Sequence, residues 1–97
     1  MKTNAILTKD ALDFFEKYLN NPSPTGHEWE GQKIWMSYLK PYVDTFLTDT
    51  YGTAVAVINP DAPYKVVIEG HSDEISWYVN YITDDGLIYT EHFLEVS

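Results

Sequence analysis

Ninety-seven residues with 44% hydrophobic and 15% aromatic content make one small folded domain rather than a disordered chain. Six basic against fifteen acidic residues leave a formal net charge of −9, which excludes a basic face for nucleic acid or an anionic membrane. The absence of cysteine excludes disulfides, thiolate zinc sites and cysteine nucleophiles.

The N-terminal Met1-Lys2-Thr3-Asn4-Ala5-Ile6-Leu7 lacks the apolar core of a signal peptide, and nothing approaches the ~18 apolar residues of a membrane span. A soluble, cytoplasmic protein is expected. Thr8 is placed to cap a helix, with Asp10 at its positive end. Ala11, Leu12, Phe14, Phe15, Tyr18 and Leu19 recur at helical spacing, which predicts an amphipathic helix over 9–19. Asn20-Asn21-Pro22-Ser23-Pro24 stops it, because each proline drives its predecessor out of the α region. Thr25-Gly26 opens a second helix over 27–40, with Glu28 and Glu30 in its first turn and Ile34, Trp35, Tyr38 and Leu39 as its apolar stripe. Trp29 and Trp35 read most simply as core packing.

The period then changes. Residues 45–49 and 53–58 read as two strands around the hairpin signal Tyr51-Gly52. After the loop Asn59-Pro60-Asp61-Ala62-Pro63, residues 64–69 form a short apolar run suited to a strand buried on both faces. Residues 75–82 make another strand, Thr83-Asp84-Asp85-Gly86 a turn, and Leu87-Ile88-Tyr89 begins the last strand. The expected fold is therefore α/β: two N-terminal helices followed by a mixed or antiparallel sheet of about five strands, in a single domain. His92 falls where a loose chain end is the default.

The chemistry gathers at His71-Ser72-Asp73-Glu74, just beyond the run Val66-Val67-Ile68 and the spacer Glu69-Gly70. Sites of open α/β sheets lie outside the carboxyl ends of strands. In an extended segment, residues two apart face the same side, so His71 and Asp73 can serve one metal or one water. A solvated histidine at a strand end explains the spacing equally. Glu74 points the other way and reads as a surface carboxylate or a partner of Lys65. The segment Pro22-Ser23-Pro24-Thr25-Gly26 reads either as a rigid loop beside a cleft or as a plain connector between helices, and His27 as a polar helix-start residue. No phosphate loop, Gly-x-Ser-x-Gly or His-Glu-x-x-His occurs.

Three segments together resemble the start of the tetrahedral aminopeptidase family: Pro22-Ser23-Pro24-Thr25-Gly26-x-Glu28, Asp49-Thr50-Tyr51-Gly52-Thr53 and Gly70-His71-Ser72-Asp73-Glu74-Ile75. These are dinuclear metallo-aminopeptidases of glutamyl and leucyl type, some formerly labelled endoglucanases. The resemblance spans about residues 8–89. It implies part of a peptidase catalytic domain, two zinc or cobalt ions, peptide substrates and large hollow oligomers. His71 matches the family's first metal ligand, and Asp73 the catalytic-site carboxylate that orients it. Ser72 stands where the family often has methionine, and Glu74 matches a usually acidic position that is not the general base.

Residues 90–97 diverge from the family pattern, and the remaining ligands and the base glutamate are missing, as in a truncated or frameshifted N-terminal segment. A catalytic zinc takes three protein ligands, so the isolated chain is expected to be inactive and to hold no metal. Its uncovered sheet is expected to self-associate, through a strand edge or the face around Trp77, Tyr78 and Tyr81. The competing reading is a non-catalytic α/β module that works through an interaction surface; the blandest is a fragment with no function of its own.

Overall fold

Thr8 caps the first helix as expected. In the computed structural model, which describes residues 6–93, its hydroxyl accepts from the Ala11 N–H at 3.1 Å and caps α1 (Lys9–Leu19). Asp10 and Lys17 sit at the ends of α1 whose partial charges suit them. Lys9 and Asp13, one turn apart, pair at 2.8 Å. Helix α2 (Trp29–Leu39) starts two residues later than the sequence pattern suggests, because Gly26 takes φ 92° and its N–H is taken by Glu28 at 2.7 Å. Pro41 then tightens the exit into a single 3-10 turn, Lys40–Tyr42.

The two helices meet through aromatic rings. Phe14 stacks on Tyr38 with centroids 4.3 Å apart and planes 13° from parallel, and Tyr18 and Tyr42 extend the row. Ala11, Phe14 and Tyr18 form the half-buried stripe of α1, whereas Leu12, Phe15 and Leu19 face solvent.

Strands β1 (Thr45–Thr48) and β2 (Ala54–Val57) pair antiparallel from Thr45 opposite Val57 to Thr48 opposite Ala54. Their turn is set by Asp49, whose carboxylate accepts from the Tyr51 and Thr53 N–H groups at 2.9 and 3.0 Å. The same turn places Gly52 at φ 89°, open to glycine at little cost. Gln32 donates to the Gly52 carbonyl at 3.0 Å and ties α2 to this hairpin. Strands β3 (Ser76–Ile82) and β4 (Ile88–Phe93) form a second antiparallel hairpin, closed by Thr83 and Gly86. Its register shifts between Val79 and Tyr81, a bulge at Asn80.

The sheet departs from expectation. Instead of about five strands in one sheet there are, among the described residues, four, in two separate two-stranded hairpins. The run expected to be the most buried strand, residues 64–69, is not a strand. Val66, Val67 and Ile68 are 76%, 79% and 95% exposed. A central strand needs neighbours on both edges and a layer on each face, and the hairpins pair only within themselves. His92 does not fall in a loose tail: residues 90–93 continue β4, with His92 opposite Trp77.

No apolar side chain among the described residues is fully buried, so Trp29 and Trp35 do not make the expected core. The radius of gyration is 18.1 Å, against about 13 Å for a compact chain of 100 residues. Among the described residues no helix is long and apolar enough to cross a membrane.

Helix α1 should therefore depend heavily on its cap. Thr8→Ala is expected to cost about 1 kcal/mol, read as lost helical circular dichroism on heating, with Thr8→Ser close to the parent; equal melts for all three would show the cap to be idle.

Candidate functional site

Two loops distant in sequence meet beside α2. Proline at 22 and 24 holds the first extended, and it bridges in parallel to the segment before β3 at Pro24 and Glu74. Glu74 donates its N–H to the Ser23 carbonyl at 2.9 Å, and the Ser23 N–H donates to the Glu74 carboxylate at 3.2 Å. Ser23 is 4% exposed and packs against α2 where Gly31 leaves room: a Cβ at Gly31 would lie 2.9 Å from the Ser23 hydroxyl oxygen. The Asn21 side-chain amide lies 3.4 Å from the same oxygen. Tyr18 lies near enough that burial first, and then the Glu74 charge, push its phenol up.

Asp73 sits at the centre of this clasp. Thr25 donates its hydroxyl to one carboxylate oxygen at 2.6 Å, and the other lies 2.8 Å from His71 Nδ1. An ionised carboxylate only accepts, so Nδ1 carries the hydrogen and points at Asp73. The Thr25 hydrogen bond first, and the His71 hydrogen bond second, hold the Asp73 carboxyl below the usual aspartate range.

His71 and Asp73 thus lie together, but not at the end of a formed strand. The His71 side chain is 87% exposed. Glu74 does not pair with Lys65, whose ammonium donates instead to the Ala62 carbonyl; it braces the Ser23 loop. His27 lies ring to ring with Tyr78 at 6.4 Å. A shallow hollow of about 320 Å³ opens on the far side of the 24–28 turn, lined by Gly26, Glu28, Trp29 and residues 48–52, and includes neither His71 nor Asp73.

As a metal site the donor set is incomplete. A histidine whose Nδ1–H is held by a carboxylate is the arrangement of a metal ligand and its orienting partner. Among the described residues, however, no three His, Asp or Glu side chains come together as a metal cage. The motif Asp49-Thr50-Tyr51-Gly52-Thr53 serves as a turn, its carboxylate occupied by backbone N–H groups. In the sequence Thr25 marks the opening of the second helix, with nothing to link it to Asp73, on which it has the strongest hold. Its one signal was the rigid Pro22-Ser23-Pro24-Thr25-Gly26 loop, which carries no indication of its distant partner.

Comparison with protein-family models, with curated proteins and with solved structures finds no match to this chain.

Asp73 makes the clasp sensitive to acid. A carboxyl whose folded pKa is lowered stabilises the contact above its ordinary titration range, and that contribution is lost as pH falls through the lowered value. The amide signals of residues 23–25 and 73–74 should shift together with a midpoint below the ordinary 3.8; a midpoint at or above it would contradict the hydrogen bonding described. Glycine to alanine within a helix ordinarily gains about 0.5–1 kcal/mol. Here Gly31→Ala is expected to lose stability instead, with faster hydrogen exchange at the Ser23 and Glu74 amides.

Proposed function

We propose that this chain is the N-terminal part of a metal-dependent aminopeptidase catalytic domain of the tetrahedral aminopeptidase type, and that it is inactive by itself. The observation that carries the reading is the clasp. Two of the three segments on which the resemblance rests, Pro22-Ser23-Pro24-Thr25-Gly26 and Gly70-His71-Ser72-Asp73-Glu74, meet through Thr25 and Asp73 although 48 residues separate them. Asp73 orients the His71 ring, which is the task of a carboxylate behind a ligand histidine.

In the complete site His71 would supply one nitrogen ligand and Asp73 would fix its tautomer. A pair of zinc or cobalt ions in such peptidases supplies an activated water for attack on the N-terminal peptide bond. Among the described residues no three His, Asp or Glu side chains gather as a metal cage, so no step of hydrolysis is assigned to this chain. Peptide is the substrate class of the parent enzyme.

Zinc titration followed by histidine ring NMR tests the reading. Weak binding is expected at His71, lost in His71→Ala and weakened in Asp73→Asn, with no hydrolysis of aminoacyl-nitroanilides above background. Zinc that leaves the His71 signals unmoved would sink the ligand assignment. Metal-dependent turnover abolished by His71→Ala would sink the inactivity.

A further inference from the structure

Residues 65–73 run on without turn or bend, and no backbone group of residues 66–70 is hydrogen-bonded among the described residues. Both edges of the run are therefore open, and its apolar side chains stand in water. An open edge of β-branched residues is a template for another strand. The run Lys65-Val66-Val67-Ile68-Glu69 selects which strand by its charges.

We propose that residues 65–69 pair antiparallel with the same residues of a second copy of this chain, about a two-fold axis through Val67. In that register Lys65 faces Glu69 of the other copy at each end, Val66 faces Ile68, and Val67 faces itself. One face of the ribbon is then wholly apolar, and the other carries two opposite-charge pairs flanking a valine pair.

The alternatives are worse on the same residues. Parallel in-register pairing sets lysine on lysine and glutamate on glutamate. Moving the antiparallel register by two residues either way sets Val67 against a charge. Moving it by one turns the apolar face over. A symmetric contact of this kind closes at two copies along its edge, because each chain offers the same patch. The net charge of −9 on each copy opposes approach, so association strengthens as salt shortens the screening length to about 8 Å near 0.15 M. The pairing needs nothing of the peptidase reading, since it uses neither His71 nor Asp73.

Charge exchange tests it on the intact chain by sedimentation equilibrium. Lys65→Glu and Glu69→Lys should each weaken self-association by about tenfold, because each places like charges opposite at both ends. An equimolar mixture of the two variants should restore it, since every facing pair is again opposite in sign. The chain has no cysteine, so Val67→Cys alone gives one thiol per copy, and a short bis-maleimide, which adds one thiol at each end, should trap a covalent dimer. A monomer at every concentration would overturn the proposal. So would association that both reversals leave intact, which would assign the contact elsewhere, such as the β3–β4 face. Single variants that weaken without rescue in the mixture would overturn the register, and no cross-linking through Val67→Cys would overturn the axis.

Discussion

The hydrogen bonds between the loop at 23–25 and the segment at 73–74 bring the helical half of the chain to the root of the second hairpin. Ser23 is withdrawn from water, Gly31 makes the space for it, and Glu74 answers its backbone on both sides. The orientation of His71 follows from the same contact, since Asp73 is anchored through Thr25. What looks like local ligand geometry is thus a product of long-range folding.

The rest of the molecule is held by short-range means. Each hairpin closes on itself, each helix is capped or turned by nearby residues, and the helix pair rests on stacked rings rather than a sealed core. With so little apolar surface removed from water, the usual dominant stabilising term is small. Polar contacts near the surface then matter more, although each is individually modest.

This division explains what the sequence made legible. Helix α1 was readable because cap, stripe and stop all lie within about one helix length. The two hairpins were readable because Asp49 with Gly52, and Thr83 with Gly86, specify turns from within. Residues 64–69 misled because an apolar run states a demand for burial without stating who meets it. The nearness of His71 to Asp73 was readable from a spacing of two. Thr25 was not, because no local pattern connects it to a carboxylate 48 positions away. The aminopeptidase resemblance named both segments but not their contact.

The clasp also has a kinetic meaning. Joining Thr25 to Asp73 closes a loop of 48 residues, at an entropic cost of about 3 kcal/mol if the intervening chain were flexible. The β1–β2 hairpin and α2 shorten the effective loop and reduce that cost. Three hydrogen bonds return about 0.5–1.5 kcal/mol each, so opening and closing are nearly balanced. Local opening of this kind occurs well below the free energy of global unfolding. Any ligand that requires the Asp73-held His71 ring therefore meets only the closed fraction of molecules, and its apparent affinity is reduced by that fraction. By the same linkage, a ligand bound there would draw the two loops shut.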